Sequence, residues 1–330
     1  MLPTVPRMTL VLLTFFGFLL AAPVRSDADA PPDEPKSRDF RFIYAATITD
    51  VPAGKTARIW LPVAQSSNDQ VVEIVSKDLP AEGKIGKEEK FGNQILYIEA
   101  KPDADGSIPL KITYRVKRRE VRGPEKTKVD ETKVAMYLKP DALVPIDGKP
   151  LELLKGKELP SDQNDAAHVL YDIVNNHMKY SKEGTGWGRG DSVWACDSKY
   201  GNCTDFHSLF ISLARSQKIP AKFEIGFPLP EKHGEGEIPG YHCWAYFKPE
   251  GNGWTPVDIS EANKNPKMKD YYFGNLTADR VTFTTGRDLT LVPKQDGGPV
   301  NFLVYPYVEV DGKPYAAEKI KKKFFFEDVK

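Results

Sequence analysis

The sequence predicts an α+β protein in which an N-terminal antiparallel β-sandwich precedes a mixed core of helices and strands. Two observations support this fold class. Short runs of alternating apolar residues fill the first part of the chain, and two helical patterns follow before alternating runs return near the C-terminal end. The chain has 330 residues, of which 40% are hydrophobic. This length and composition suffice for two folded units of ordinary globular type.

Residues 1–26 have the layout of a secretory signal peptide. Arg7 precedes an uncharged apolar run from Met8 to Ala22, and small residues follow before Ser26. The run is shorter than the roughly 20 residues that a membrane-spanning helix needs, so we expect cleavage and no stable membrane insertion afterwards. An uncleaved N-terminal anchor is the alternative. The chain is therefore predicted to be secreted or periplasmic, with the polar residues 27–37 as a flexible leader.

Residues 38–138 have the pattern of a small antiparallel sandwich. Apolar and polar residues alternate within short runs, as from residue 110 to residue 116. Turn-forming stretches such as 52–54 and 103–106 separate these runs. No cluster of titratable residues stands out, which indicates a scaffold or a binding module. The proline- and lysine-containing residues 139–160 are predicted to be a linker.

Residues 161–330 are predicted to form a second domain with two amphipathic helices. The first begins at Ser161 or Asp162 and ends near Met178. The second covers about residues 203–217. Three strands are predicted after it, over residues 221–227, 241–247 and 254–259. Alternation near the C-terminal end of the chain predicts further strands that complete a sheet.

Three features indicate that Cys203 is a nucleophile. It lies in the predicted first turn of the second helix, where unpaired N–H groups and the helix dipole stabilise negative charge. A thiol in this place has a lowered pKa, and the thiolate is the reactive form. Gly201 lets the chain turn sharply and lets a substrate carbonyl approach the backbone. The backbone N–H of Cys203 is placed to act as an oxyanion donor.

His242 and Asp258 lie on the two strands of a predicted hairpin, whose turn contains Gly251, Asn252 and Gly253. In antiparallel pairing about this turn, the partner of His242 falls within a few residues of Asp258, so both side chains can share one face. Asp258 would then orient the imidazole, and His242 would activate the thiol.

Strand alternation sends the neighbouring Cys243 to the face opposite His242. We therefore expect Cys243 to be a small buried residue rather than a second nucleophile.

The three candidate residues lie in motifs that resemble the transglutaminase-like superfamily. The motifs are GNCTDF at 201–206, similar to its cysteine box, YHCWA at 241–245, similar to its histidine box, and GWTPVD at 253–258, similar to its aspartate box. They follow the family's order over about residues 163–262. The resemblance implies a papain-like α+β core with Cys203 as nucleophile, His242 as base and Asp258 as orienting acid. It implies no metal and no organic cofactor.

The chain departs from the family pattern at a few positions outside the three candidate residues. Lys218 and Lys222 stand where glycine and arginine are frequent, and Cys243 stands where alanine is common. The second oxyanion donor is not identified by the motifs. Tyr180, Trp187 and Trp194 are the candidates.

The resemblance implies an exported thiol-dependent acyl-transfer enzyme whose substrate is a protein or a peptide. Cys203 would attack a peptide or side-chain amide, and the resulting acyl-thioester would pass to water or to an amine. We favour hydrolysis, as in a cysteine peptidase or amidase. Protein crosslinking by a protein-glutamine transglutaminase is one alternative, and a catalytically silent envelope binding or scaffold protein is another.

Two other function classes receive less support. The chain carries 46 basic and 46 acidic side chains, and this balance argues against a nucleic-acid binder. Cys203 and His207 stand four residues apart on one predicted helix face, and Cys196 and His242 could complete a zinc site with them. The zinc hypothesis explains neither Asp258 nor the position of Cys203 at a helix start.

The chain contains three cysteines, although disulfides are usual in exported proteins. An odd number leaves at least one thiol unpaired. The sequence leaves open which thiol is free and whether Cys196 and Cys243 form a disulfide.

Overall fold

The computed structural model describes residues 34–127 and 129–329, together with residues 1 and 4. Apart from residues 1 and 4, the predicted signal peptide lies outside the described residues, as do residues 27–33 of the predicted leader. Within the described part of the chain, no helix combines the length and the apolar character needed to cross a membrane.

Most regular structure in the described chain is β-strand, arranged in two five-stranded sheets, one four-stranded sheet and small two-stranded pairs. The strands are β1 (Ser37–Ile48), β2 (Ala57–Val63), β3 (Gln70–Asp78), β4 (Lys84–Lys87), β5 (Gln94–Ala100), β6 (Ile108–Arg119), β7 (Val121–Arg122), β8 (Lys179–Tyr180), β9 (Tyr200–Gly201), β10 (Ala221–Pro228), β11 (Glu235–Ile238), β12 (His242–Phe247), β13 (Thr255–Val257), β14 (Asn275–Leu276), β15 (Arg280–Thr285), β16 (Tyr307–Val310), β17 (Lys313–Pro314) and β18 (Ile320–Asp328). The helices are α1 (Glu131–Val134), α2 (Gln163–His177), α3 (Ser192–Ser198), α4 (Cys203–Ser216) and α5 (Ile259–Lys264).

The two five-stranded sheets are antiparallel and have the orders β11-β18-β1-β6-β3 and β17-β16-β2-β5-β4. Along β1 every second residue is buried, including Phe40, Phe42 and Tyr44, because one face of the strand contacts the core and the other does not. Both sheets contribute residues to one hydrophobic core, for example Phe42 and Leu61. The predicted α+β class, with antiparallel sheets and a mixed core, is confirmed.

The C-terminal strands complete the two five-stranded sheets. β18 pairs with β1, so that Phe326 lies opposite Phe42, and β16 pairs with β2, so that Tyr307 lies opposite Trp60. The sequence analysis grouped these strands with the second domain, because periodicity identifies a strand but not its partner. Residues 35–330 form one compact unit, and the predicted boundaries at residues 138 and 160 stay a prediction.

The stretch predicted as a linker packs against the helical core. Pro150 is buried within a short 3-10 helix, Lys149–Leu154. Asp141 forms an ion pair at 2.7 Å with the buried Arg215 of α4. These contacts fix residues 139–160 to the body of the protein.

Helix α4 lies at the centre of the mixed core. Its residues from Cys203 to Arg215 are all buried, because α2, α3, α5 and β12 pack around it. The four-stranded sheet, with the order β13-β12-β10-β15, covers one side of the helix. The two predicted helices are confirmed: α2 has Asp162 as its N-cap and ends at His177, and α4 ends at Ser216. This arrangement places the N-terminus of α4 against the start of β12.

Candidate active site

Cys203 is the first residue of α4, and the side chains of residues before and after it cap the start of this helix. The Asn202 side chain accepts a hydrogen bond from the Thr204 N–H at 2.9 Å and donates one to the Tyr241 hydroxyl at 2.9 Å. The Asp205 carboxylate accepts the backbone N–H of Asn202 at 2.9 Å, which completes a capping box. The helix start is therefore held in place, and its dipole acts on the Cys203 thiol.

Gly201 is required for space rather than for a left-handed turn. It does not adopt a positive φ, and a Cβ at this position would lie 2.5 Å from Oδ2 of Asp205. The same carboxylate accepts the N–H groups of Gly188 and Gly190 at 2.7 and 2.9 Å. Asp205 thus ties the glycine-rich loop, residues 184–190, to the helix that carries Cys203.

The predicted hairpin brings His242 and Asp258 together. β12 and β13 pair antiparallel, with Ala245 opposite Val257. Nε2 of His242 lies 2.8 Å from Oδ2 of Asp258. Asp258 is also the N-cap of α5, where its Oδ1 accepts the N–H of Glu261 at 3.2 Å. Both carboxylate oxygens are therefore fixed, and Nδ1 of the imidazole is left for another partner.

The Cys203 thiol lies next to the His242 ring, and the two groups act on each other's pKa. Burial by itself raises the pKa of Cys203, but hydrogen bonds with Cys243 and His242 and the charge of His242 lower this pKa well below its usual value. Burial by itself lowers the pKa of His242, but Asp258 and then Cys203 raise it to about 10. These shifts favour a thiolate–imidazolium pair at neutral pH. The structure thus brings the three predicted residues together, and their catalytic roles stay a prediction.

Arg280 and Glu261 also contact this site, and the sequence analysis missed both. Nη1 of the buried Arg280 lies 3.0 Å from Oδ2 of Asp258. Burial by itself raises the pKa of Asp258, but His242 and Arg280 hold it far below its usual value. Oε1 of Glu261 lies 3.6 Å from Nε2 of His242. A charged residue at a buried strand position, as at Arg280, is the one sequence signal that could have identified this contact.

His242, Asp258 and Glu261 also raise the question of a metal site. In the described part of the chain, their candidate ligand atoms lie within 4.8 Å of one another. Arg280 and Lys264 already form ion pairs with the two carboxylates. Because a metal ion would be repelled by these two cations, the charges favour a hydrogen-bonded triad over a metal centre.

The hypothetical zinc site of Cys196, Cys203, His207 and His242 does not assemble. Both ring nitrogens of the buried His207 have backbone partners: Nδ1 lies 2.8 Å from the Cys203 carbonyl oxygen, and Nε2 accepts the Ile259 N–H at 3.0 Å. The Cys196 thiol, on α3, donates to a backbone carbonyl at 3.7 Å. His207 therefore joins α4 to the start of α5 and is not free to bind zinc.

All three cysteines are free thiols, and all are buried. No disulfide joins Cys196 to Cys243. Cys243 is buried as expected, but its thiol lies next to that of Cys203 and raises the question of a second role in the site. The start of β12 lies against the N-terminus of α4, so that His242 and Cys243 both contact the same sulfur atom.

The three candidates for the second oxyanion donor occupy different places. Trp187 donates its indole N–H at 3.1 Å to a carbonyl within the glycine-rich loop. Trp194 packs against another aromatic ring of its own segment, with the ring centroids 5.3 Å apart. Tyr180 lines the same cleft as His242. Burial raises the pKa of Tyr180, and the charge of the nearby Cys203 raises it further. Of the three candidates, Tyr180 is the one that lines this cleft, and its role as an oxyanion donor stays a prediction.

A cleft of about 1000 Å³ opens beside His242. Tyrosines and charged residues line it, among them Tyr180, Tyr241, Tyr272, Lys182 and Glu231. Residues of the loop between β10 and β12 form one rim. The polar lining gives water access to the site, and the volume is at the upper end of the range for ligand pockets.

Residues 153–259 match the model of the transglutaminase-like superfamily, and this range contains Cys203, His242 and Asp258. This part of the chain is a transglutaminase-like domain. The resemblance that the motifs indicated is thereby confirmed. The superfamily is one of thiol-dependent enzymes, and the cysteine at the start of α4 agrees with that membership.

A solved structure shares the fold of this chain. A crystal structure from Cytophaga hutchinsonii, described as a proposed cysteine protease, matches with a TM-score of 0.54 and 18% identity over 89% of this chain and 100% of that chain. The periplasmic domain of TgpA from Pseudomonas aeruginosa matches with a TM-score of 0.36 and 15% identity, over 70% of this chain and 91% of that domain.

A sequence relative is also similar to this chain. An uncharacterized protein of Haemophilus influenzae is 29% identical, over 84% of this chain and 86% of its own length.

Proposed function

We propose that this chain is an exported cysteine peptidase or amidase that forms an acyl-thioester on Cys203. The observation that carries the proposal is the placement of the Cys203 thiol next to His242, whose Nε2 lies 2.8 Å from Oδ2 of Asp258, beside an open cleft. The lowered pKa of Cys203 supplies a thiolate nucleophile, and the raised pKa of His242 supplies a proton for the leaving group.

The reaction proceeds in two steps. The Cys203 sulfur bonds to the amide carbon, and the backbone N–H of Cys203 and the Tyr180 hydroxyl stabilise the oxyanion. His242 donates its proton to the leaving nitrogen as the carbon–nitrogen bond breaks. The neutral imidazole then takes a proton from water, which attacks the thioester and releases the acid. General acid–base catalysis by His242 contributes about 10²–10⁴ in rate.

The polar cleft supports hydrolysis over transfer to an amine. Lys182 and Glu231 lie in its lining together with tyrosine hydroxyls, so the cleft beside His242 is suited to hold water. A site that transfers an acyl group to an amine must exclude water, because water otherwise consumes the reactive intermediate. Crosslinking is therefore the less supported outcome.

Export is part of the proposal and is supported by the pattern of residues 1–26. The full chain, produced in a bacterial host and recovered from the periplasm or the medium, should begin shortly after Ser26 when its N-terminus is determined by mass spectrometry. Recovery with an intact N-terminus from the membrane fraction would support the uncleaved anchor.

The acyl-thioester is tested with p-nitrophenyl acetate, which needs no knowledge of the natural substrate. The exported chain should release a burst of nitrophenol and carry an acetyl group on Cys203 that water then removes. Cys196→Ser is the matched control and should behave like the wild type, whereas Cys203→Ala should give neither the burst nor the adduct. An equal adduct on the Cys203→Ala variant would contradict the proposal.

Hydrolysis and crosslinking are separated by adding an unstructured protein substrate together with a fluorescent primary amine. Hydrolysis predicts cleaved peptides or glutamine side chains converted to glutamate. Incorporation of the amine without either product would identify the chain as a transglutaminase.

A further inference from the structure

Cys243 places a second thiol in the site, and the proposed reaction does not use it as a nucleophile. Its side chain is fully buried and lies beside the first turn of α4, where Nδ1 of His207 is 2.8 Å from the Cys203 carbonyl oxygen. The Sγ of Cys243 lies 3.6 Å from Nδ1 of His207. Because both thiols are free and adjacent, they can be oxidised as a pair.

The two adjacent thiols differ in reactivity. The pKa of Cys203 is lowered by its hydrogen bonds, whereas burial and the charge of Cys203 raise the pKa of Cys243 well above its usual value. Thiolates react with peroxides much faster than protonated thiols do. Cys203 is therefore the first sulfur to be oxidised, and Cys243 lies next to the product.

We propose that Cys203 and Cys243 form a reversible oxidation site. The Cys203 thiolate attacks a peroxide, the oxygen–oxygen bond breaks, and Cys203 becomes a sulfenic acid as hydroxide leaves. The Cys243 sulfur then bonds to the Cys203 sulfur, and the sulfenic hydroxyl leaves with the thiol proton as water. A dithiol reductant returns both residues to thiols and is itself oxidised to a disulfide.

The burial of the pair favours this intramolecular product. Cys203 is only 2% exposed and Cys243 is 0% exposed, so the neighbouring Cys243 thiol meets the sulfenic acid before a thiol from solution does. The disulfide protects Cys203 from the higher oxidation states, which are not reduced by thiols. The loss of activity in the disulfide form rests on the proposed function, whereas the oxidation itself requires only the two sulfur atoms.

The test treats the reduced full-length chain with hydrogen peroxide, blocks the remaining thiols by alkylation and maps the peptides by mass spectrometry. The wild type should lose two hydrogen atoms and give a cross-linked peptide that joins Cys203 to Cys243, and dithiothreitol should reverse this change. The matched control is Cys196→Ser, because the Cys196 thiol donates to a backbone carbonyl outside the site. This variant should form the same cross-link.

The Cys243→Ala variant removes the resolving thiol. Peroxide should convert Cys203 in this variant to the sulfinic acid, with two added oxygen atoms, and dithiothreitol should not reverse the change. Product distributions are compared rather than rates, because the Cys243 hydrogen bond also lowers the pKa of Cys203. Far-ultraviolet circular dichroism checks that the variant is folded.

Three results would overturn the proposal. They are a wild type whose Cys203 resists peroxide, a wild type that accumulates the sulfinic acid as fully as Cys243→Ala, and a cross-link that includes Cys196. Mass mapping needs no substrate, so the two proposals fail separately. A chain that is acylated at Cys203 but forms no cross-link refutes only the oxidation site, and a cross-linked chain that cannot be acylated refutes only the enzyme.

Discussion

Replacement of Cys203 by alanine should change how the stability of the protein depends on pH. In the folded wild type the pKa of Cys203 is lowered well below its usual value. In the unfolded chain the thiol keeps its proton up to about pH 8.5. Taken alone, the ionisation of Cys203 therefore favours the folded state as the pH rises toward 8.5, because only the unfolded state still holds this proton. The alanine variant lacks this contribution.

The size of the effect follows from the number of protons involved. One proton that is bound only in the unfolded state changes the free energy of unfolding by about 1.4 kcal/mol per pH unit. His242 contributes with the opposite sign, since its pKa is raised to about 10 and its stabilising charge is lost as the pH rises above about 6.5. In the wild type the two contributions nearly cancel between pH 6.5 and 8.5. Over the two pH units from 6 to 8, the wild type should therefore gain up to about 2.5 kcal/mol relative to Cys203→Ala, a little less than twice the change of about 1.4 kcal/mol per pH unit because the unfolded thiol begins to ionise near pH 8.

Urea unfolding followed by tryptophan fluorescence measures this difference, provided that the slope against urea concentration stays the same in both proteins. The matched control is Cys196→Ala. Burial raises the pKa of Cys196, so its thiol stays protonated in both states and its replacement should give no trend between pH 6 and pH 8. If the curves for the wild type and Cys203→Ala run parallel across this range, the lowered pKa of Cys203 is refuted.

Three further substitutions test individual contacts. Asn202→Ala removes the N-cap of α4 and a bond to a neighbouring hydroxyl, so the free energy of unfolding should fall by about 2 kcal/mol. The midpoint for alkylation of Cys203 should also rise by about 0.2–0.7 pH units. Asp258→Asn removes the charge that raises the pKa of His242, so iodoacetamide should alkylate Cys203 at pH 6 at least about tenfold more slowly. Tyr180→Phe should slow acetylation by p-nitrophenyl acetate about 10²-fold but leave alkylation unchanged, because alkylation forms no oxyanion.

For each of these substitutions, one result would contradict the stated expectation. Asp162→Ala removes the equivalent cap of α2, with bonds of 2.8 and 3.0 Å, and should lower stability by about 1 kcal/mol without moving the alkylation midpoint. If the pH midpoint for alkylation of Cys203 is the same in Asn202→Ala as in the wild type, the helix start does not stabilise the thiolate. If Asp258→Asn is alkylated as fast as the wild type, the Asp258 carboxylate does not help to ionise Cys203. If Tyr180→Phe is acetylated at the wild-type rate, Tyr180 is not the second oxyanion donor.

The helix start at Cys203 was predictable because its determinants are local. The capping residues Asn202 and Asp205 lie within two positions of Cys203, and the apolar stripe of α4 follows directly. The hairpin turn likewise fixed the approximate register between His242 and Asp258. Sequence spacing alone therefore brought three distant residues into one hypothesis.

Contacts between distant segments were not predictable from one sequence. Arg280 reaches Asp258 from β15, and Cys243 reaches Cys203 because α4 packs against β12. Neither packing arrangement leaves a periodic signal in the chain. The pairing of β18 with β1 could not be predicted for the same reason, since alternation predicts a strand but not the strand that pairs with it.

Two short helices that pack against α4 were also missed. α3 has seven residues and α5 has six, too few for a helical period to be recognised. The sequence analysis therefore predicted no helix at Trp194 and placed Ile259 at the end of a strand. Both helices begin at an aspartate N-cap, Asp191 and Asp258, and an aspartate in this position is a local signal for the start of a helix.

The central claim is that Cys203 is a thiolate held beside a charged imidazole. The most direct measurement is the ultraviolet absorbance of the thiolate as a function of pH, taken as the difference between the full chain and its Cys203→Ala variant. The account predicts that this difference is already present at neutral pH and disappears in more acidic solution, because the pKa of Cys203 is lowered well below its usual value. A thiolate signal that appears only near pH 8.5, where an ordinary cysteine ionises, would contradict it.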